Sequence, residues 1–286
     1  MTDVSVLTPS YGYGRFIADS IESVLGQEGP SIEHIVQDGG SEDETVEVLR
    51  SFGDRVTWTS ERDSGQSDAL NRALAKARGN WVAWLNADEY YLPGGLAALI
   101  REGERRRADV VYGDSVAVDR EGKLVDLRPQ HMFSPMILRF YGPFPDSVSL
   151  VVRRSILGTG PWDQNLRVVM DWDLLLGLLA KGASFHYSAY PVGAFRQHED
   201  QASARPRSGE ASAVRERHSI PTRRWYRRGA LALHRVRKLT AGSYVRQLRA
   251  MALRGSDLRW FRENVGTASS RALLSRCYGI GTETQS

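Results

Sequence analysis

Two short acidic clusters, each closing an apolar run, are the residues best suited to chemistry in this chain. Trp81-Val82-Ala83-Trp84-Leu85 runs into Asn86-Ala87-Asp88-Glu89, and Ile35-Val36-Gln37 runs into Asp38-Gly39-Gly40-Ser41. A buried strand that stops in this way presents its polar residues beyond its carboxyl end, where open α/β sheets hold their ligands. Carboxylate oxygens there suit a hard divalent cation, which commonly shares its coordination with substrate phosphates. Two acidic strand ends in one sheet therefore point to a nucleotide–metal site. A competing reading, a dinucleotide-binding oxidoreductase, starts from Gly12-Tyr13-Gly14 after the first strand and Asp38 at the end of the second. It fails because Ile17 stands where the third glycine is needed. An acidic fourth strand also has no part in hydride transfer.

The elements that must position these residues follow from periodicity. Val4 to Thr8 reads as a strand, followed by Ile17, Ile21, Val24 and Leu25 at helical spacing. Glu33 to Gln37 is a second strand, and Ser41-Glu42-Asp43-Glu44 supplies a cap and first-turn acids for the next helix. Val56 to Thr59 is a short third strand; Ser67 to Ala77 is a helix with Leu70, Ala73, Leu74 and Ala77 on one face. After the acidic strand, Pro93-Gly94-Gly95 opens a helix up to Arg106. This alternation predicts an α/β fold with a mainly parallel sheet covered on both faces. The rhythm changes after Asp114. Val116 to Asp119 and Lys123 to Val125 form a hairpin, Ser147 to Val152 is a strand, and Asp171 to Ala180 is a short helix. Phe185 to Tyr190 and Val192 to Phe195 are the closing strands, Glu199 to Gly209 a flexible loop, and the remainder arginine-rich helices.

Bulk composition sets the class. The chain has 286 residues, 41% hydrophobic and 25% charged, as in ordinary globular proteins. One cysteine, Cys277, excludes an intramolecular disulfide and points to a reducing compartment. Its plainer reading, an inert residue near a loose C-terminus, is preferred over a nucleophile. The N-terminus passes directly into a strand pattern, so no secretory leader is expected. No apolar run approaches the roughly 18 residues of a membrane span. A cytoplasmic protein, or one peripheral at the inner face of the cell membrane, is expected.

Seven segments in a fixed order carry a family resemblance. They are Thr8-Pro9-Ser10-Tyr11, Ser20 to Gln27, Ile35 to Ser41, Asp63 to Asn71, Trp84 to Asp88, Met170-Asp171-Trp172-Asp173 and Phe195-Arg196-Gln197-His198. Each is weak alone; together, over roughly residues 3 to 203, the chain resembles the family 2 inverting glycosyltransferases of GT-A fold. The resemblance implies a GT-A domain over 1–205, with a nucleotide-binding half (1–114) and an acceptor half (115–205), followed by a basic helical region (206–286).

The resemblance also implies roles. Pro9, Ser10 and Tyr11 would border the nucleotide, with Tyr11 on the base. Asp38 would accept a hydrogen bond from the base, as an acceptor-only carboxylate can from uracil; its plainer role is to cap the following helix. Arg62, Asp63, Gln66 and Asp68 match the donor-binding stretch. Asn86-Ala87-Asp88 stands at the family's Asp-x-Asp position with Asn first, and Glu89 stands where many relatives carry a further Asp. Asp88 would ligate Mn²⁺ or Mg²⁺, and His198 would complete the metal shell. Asp171 matches the catalytic base, which a single displacement needs to take the acceptor's proton; its plainer role is a helix cap, and Asp173 is the better structural candidate. Asp146 and Trp172 would border the acceptor.

The charge is uneven. Pro221 to Arg262 holds twelve Lys or Arg against Asp257 alone, leaving 26 basic and 33 acidic residues elsewhere. Trp225, Ala232, Val236 and Leu239 on one helix, and Val245, Leu248, Ala252 and Leu253 on another, make amphipathic stretches suited to an anionic leaflet. Nucleic acid is ranked low because no binding module is present. A solvated or homo-oligomer-forming helix pair remains the plainer alternative. The expected function is metal-dependent, inverting transfer from a nucleotide sugar, UDP-linked by preference, to a saccharide or lipid-linked acceptor in cell-envelope or exopolysaccharide assembly. The alternative is a non-catalytic nucleotide-sugar-binding scaffold.

Overall fold

The computed structural model describes residues 2–142, 144–199, 201, 209–262 and 266–281. Strands β1 (Val4–Ser10), β2 (Ile32–Asp38), β3 (Thr57–Ser60) and β4 (Trp81–Trp84) alternate with helices α1 (Gly14–Leu25), α2 (Thr45–Ser51) and α3 (Gln66–Lys76). They pair in parallel in the order β3-β2-β1-β4. Every residue of β1 and β4 is buried, as strands covered on both faces must be.

The chain continues through β5 (Tyr90–Tyr91), α4 (Gly95–Arg106), β6 (Val110–Val118), β7 (Leu124–Arg128) and α5 (Pro135–Phe140). Then come β8 (Leu150–Arg153), α6 (Arg154–Leu157), α7 (Met170–Ala180) and β9 (Phe185–Arg196). In this half β8 joins β4 and β6 antiparallel, β9 runs parallel to β6, and β5 and β7 attach antiparallel at β9 and β6. The fold is a mixed α/β sheet, parallel from β1 to β4 as expected. Helices α1 and α4 bury Val24, Leu96 and Leu99 on one face; α3 and α7 bury Leu70, Leu74, Leu174 and Leu178 on the other.

Three details differ from the periodicity. The two closing strands are one, β9, which runs through Pro191. The ladder is irregular there, with register shifts on both sides of Asp114↔Pro191, so the missing proline N–H breaks no regular pair. Ser147–Ser149 is a 3-10 turn, and the strand begins only at Leu150. The helix after β2 starts at Thr45, whose N–H is taken by Asp43 and not by Ser41.

The basic region folds as α8 (Glu210–Arg217), α9 (Arg224–Thr240), α10 (Ser243–Met251) and α11 (Thr267–Tyr278). Val214 and Ile220 enter the core shared with α3 and α7, while Ala250, Leu253, Leu258, Leu273 and Cys277 pack with β6 and β7. Cys277 is thus a buried core thiol. The polar stretch from Glu199 to Gly209, expected as a flexible loop, lies mostly outside the described residues.

Packing between α4 and β4 is tight at Gly103, where an added Cβ would lie 2.5 Å from the Trp81 ring. Trp81 is held by its indole N–H, which donates to Glu104 at 2.8 Å. Gly103→Ala is therefore expected to cost about 1–3 kcal/mol by overpacking. Alanine's helix propensity, better by about 1 kcal/mol, works in the opposite direction. A denaturant melt checks this; an unchanged or raised midpoint would show that Trp81 can shift.

Candidate active site

The register of the parallel strands sets the site. Ser10 pairs with Asp38, Asp38 with Ser60, and Leu7 with Trp84. The carboxyl ends of β1, β2 and β4 therefore stand side by side and present Tyr11, Asp38 and Asn86–Glu89 at one edge. Pro9 and Ser10 are buried in β1, the Ser10 hydroxyl without a partner among the described residues, and Tyr11 stands exposed beyond them.

Asp38 is fully buried and holds the turn after β2. Its Oδ2 accepts from the Gly40 and Ser41 N–H groups at 3.1 and 2.9 Å and from the Ser60 hydroxyl at 2.6 Å. Among the described residues its Oδ1 accepts the Ser41 hydroxyl alone, at 2.5 Å. Ser41 also receives the Gly12 N–H at 2.8 Å, which ties the Tyr11 loop to this turn. The structural role is thus real, and one acceptor position on Oδ1 stays open.

The loop before α3 brings the donor-stretch residues to the same edge. Asp63 lies against Gly39, accepts the Gly65 N–H at 2.8 Å, and has its pKa raised by burial and by neighbouring Asp68 and Asp38. The Gln66 amide donates to Asn86 Oδ1 at 2.7 Å, joining this loop to the end of β4. Asp68 is engaged otherwise. Both of its oxygens take Arg72, at 3.1 and 2.9 Å, and it also receives Ser64 N–H and Gln164. Arg62 is exposed at the rim.

Beyond β4, Asp88 Oδ2 and His198 Nε2 lie 2.9 Å apart, both buried. Cis ligands of an octahedral ion with bonds of about 2.1 Å sit roughly 3 Å apart, so this oxygen–nitrogen pair fits one divalent cation. Among the described residues no three His, Cys, Asp or Glu side chains form a metal cage. A cation here would need its remaining ligands from diphosphate and water. Ala87 is buried between Asn86 and Asp88 and contributes no donor atom from its side chain. Glu89 turns inward. Its Oε2 accepts the Asn86 N–H at 3.2 Å, and its carboxyl is pushed well above the usual range, first by burial, then by Asp88, and further by Asp171. Burial and the Asp88 charge both favour its protonated form.

Asp171 lies in the first turn of α7, and its Oδ1 accepts the Trp84 indole N–H at 3.1 Å. The residue keeps some solvent-accessible surface, but its carboxyl is enclosed. Burial pushes its pKa up to about 6, with Ser147, Trp84 and Trp162 opposing the shift. Asp173 takes the structural part, paired with Arg217 at 2.7 Å and His218 at 2.8 Å.

The acceptor expectations divide. Asp146 is half-buried, accepts Ser115 at 2.5 Å, and adjoins Ser147 beside Asp171. Trp172 does not border the site: it is a core residue whose indole N–H donates to the Leu138 carbonyl at 2.7 Å. One helical step of 100° separates it from Asp171 and turns it inward.

Sequence reasoning missed two arginines. Gly65 has φ +120, and a Cβ there would fall 1.4 Å from Arg167 Nη1, so the guanidinium lies directly against the donor loop. Buried Arg196 donates to Asp19 at 2.7 Å, to the Asp88 carbonyl at 2.9 Å and to the Arg120 carbonyl at 2.5 Å. Arg196 was inside a recognised segment; nothing at Arg167 signalled its approach.

The mixed α/β sheet with its flanking helices is the GT-A fold of glycosyltransferases, shared with the solved structures described below. Residues 5–158 match the model of glycosyl transferase family 2, and the chain belongs to that family. It is similar to a PGL/p-HBAD biosynthesis glycosyltransferase of Mycobacterium bovis, 29% identical over 179 residues, 59% of this chain and 66% of the relative. It is also similar to an uncharacterized glycosyltransferase of Rickettsia prowazekii, 26% identical over 60% of this chain and 57% of the relative. The matches thus span less than two thirds of these relatives' lengths. Among solved structures, S. aureus TarS 1-349 in complex with UDP-GlcNAc aligns with a TM-score of 0.62 at 17% identity, covering 98% of this chain and 93% of that one. Glucosyl-3-phosphoglycerate synthase from Mycobacterium tuberculosis with Mn²⁺ and UDP aligns with a TM-score of 0.52 at 16% identity, covering 77% and 81%.

The raised pKa of Asp171 has a stability consequence. The unfolded carboxyl ionises near 3.8 and the folded one near 6. Its contribution is fully present below the lower value and is lost as pH rises through the upper, where the enclosed charge costs up to about 3 kcal/mol. Asp171→Asn is expected to be more stable than the wild type at about pH 8, with little difference at about pH 4. Thermal melts at the two pH values check this; an equal difference at both would show that Asp171 ionises normally.

Proposed function

We propose that the chain catalyses metal-dependent, inverting transfer of a sugar from a nucleotide-diphosphate donor, a UDP-sugar by preference, to a hydroxyl of a saccharide or lipid-linked acceptor. Cell-envelope or exopolysaccharide assembly is the setting this reaction fits. The observation that carries the reading is the Asp88–His198 oxygen–nitrogen pair beyond the end of β4, with the enclosed Asp171 carboxyl near enough to act on the charge of neighbouring Glu89.

Asp171 takes the proton of the acceptor hydroxyl as that oxygen attacks the anomeric carbon and the bond to the diphosphate breaks. A pKa of about 6 leaves it ionised at neutral pH yet basic enough to accept the proton. Asp88 and His198 would hold Mn²⁺ or Mg²⁺, and the imidazole nitrogen favours Mn²⁺. A bound cation supplies charge neutralisation on the leaving diphosphate. Arg167, against the donor loop, adds a positive charge facing the same phosphates. Tyr11 and the open acceptor position on Asp38 Oδ1 receive the base. Asp63, Gln66 and Asn86 shape the floor of the donor pocket, with Arg62 at its rim, and Asp146 lies on the acceptor side. The solved relatives crystallised with UDP or UDP-GlcNAc, and a mannosyltransferase from Pyrobaculum calidifontis with GDP-Man and Mn²⁺, support donor and cation classes. No helix among the described residues is long and apolar enough to cross a membrane. A cytoplasmic, membrane-peripheral location goes with this reading.

One observation favours the scaffold alternative. Asn86 is occupied by Gln66, and Glu89 by the Asn86 backbone, so neither offers the cation a ready ligand. Nucleotide release from a panel of UDP-sugars with Mn²⁺ and simple acceptors separates the two. Transfer is expected in the wild type, with kcat lowered about 10²–10⁴-fold in Asp171→Asn and donor affinity retained. Donor binding with no turnover in the wild type would leave the scaffold.

A further inference from the structure

The basic helices carry features the transfer reaction does not use. Along α9, Trp225, Ala232, Val236 and Leu239 recur at helical spacing on one face, and that face points outward: Trp225 is 58% and Leu239 67% exposed. The helix packs on the protein through the opposite face, by Ala230, Leu233 and His234, the last bonded to His131 at 2.9 Å. On α10, Tyr244, Val245, Leu248 and Met251 also face outward, while Leu253 beyond it is buried. The apolar faces read from the sequence are therefore largely the solvent faces. A helix that turns a large apolar stripe outward lacks a partner.

Charge identifies the partner. From Arg217 to Ser256 the chain holds no Asp or Glu, and Arg224, Arg228 and Arg235 flank the α9 stripe. At the start of α9, Arg139, Arg215, Arg223 and Arg227 line a cavity of about 230 Å³ floored by Phe140 and Pro221. Arg139, Arg223 and Arg227 have no ion-pair partner among the described residues. A continuous ring stack leads from this cavity to the stripe. Phe140 lies 4.6 Å from Tyr226, and Tyr226 lies 3.6 Å from exposed Trp225. Four guanidinium groups without a carboxylate suit a phosphate, and the adjoining apolar stripe suits acyl chains. A soluble phosphate would leave the stripe unexplained, and a nucleic acid would not cover Val236, Leu239 and Leu248.

We propose that the arginine-lined cavity binds the phosphate headgroup of an anionic lipid while the outward stripes of α9 and α10 enter the lipid interface, seating the chain on a membrane surface. The two features supply the paired signals that stable interfacial attachment needs. This goes beyond the transfer reaction and can fail without it, because none of these residues touches the donor site.

Co-sedimentation of the full chain with vesicles tests it. The chain is expected to pellet with vesicles of phosphatidylcholine mixed with phosphatidylglycerol and to stay in solution with phosphatidylcholine alone. Replacing Arg139, Arg223 and Arg227 together by Gln should weaken that binding on the order of a hundredfold. Leu239→Ser with Leu248→Ser should weaken it too, with melting temperature and turnover of a soluble donor unchanged, since both side chains are exposed. Equal pelleting of these variants, or no preference for the anionic vesicles, would overturn the proposal. So would stabilisation by inorganic phosphate without vesicle binding, which assigns the cavity to a free anion. Nucleic acid bound in preference to vesicles would do the same, as would a wild-type dimer that the Ser variants abolish and vesicles do not displace.

Discussion

The buried guanidinium of Arg196 is the contact on which the candidate site's geometry rests. It joins four segments: α1 through Asp19, the end of β4 through the Asp88 carbonyl, the β6–β7 turn through the Arg120 carbonyl, and β9 by its own backbone. His198 lies two residues further on, so the same anchor that fixes Asp88 also delivers the imidazole to it. Removing a buried ion-pair partner is costly, although Asp19 would keep Arg262 and Arg259 beside it. Here it would also free the two groups best placed to hold a cation.

Around that anchor the carboxylates are sorted by environment. Glu89 sits in the interior, where burial and Asp88 push its carboxyl well above the usual range. Asp171 sits between tryptophans with some access to solvent and is raised only to about 6. Asp38 is saturated with donors on one oxygen and nearly free on the other. Pushing apart the affinities of neighbouring carboxyl groups for protons is how one site separates cation binding from proton transfer. The arm of Glu89 reaches back to the Asn86 N–H and serves the turn.

Much of this could be read from the sequence because it depends on local rules. Alternating strand and helix periods fix the parallel half, and parallel strands that stop together must bring Asp38 and Asp88 to one edge. What stayed hidden depends on contacts between distant residues. His198 and Asp88 are 110 positions apart, and only the ordered family segments paired them. Arg167 reaches the donor loop through space that exists because Gly65 has no side chain, which no periodicity reveals. Two structural roles were legible after all. Asp68 stands four residues before Arg72, a spacing that favours an ion pair on the helix surface. Trp172 follows Asp171 on a helix and so cannot share its face. The amphipathic stripes of α9 and α10 were legible, but an apolar face ordinarily marks the side that packs, so the sequence left open which way they turn.

The central claim is that Asp38, Asp88 and Asp171 surround one cation-held diphosphate, and calorimetric titration with UDP tests it most directly. The account predicts that Mn²⁺ tightens UDP binding in the wild type. Asp88→Asn should abolish that coupling, Asp38→Ala should weaken UDP with the coupling intact, and Asp171→Asn should bind as the wild type does. UDP affinity indifferent to Mn²⁺, or coupling that survives Asp88→Asn unchanged, would contradict it.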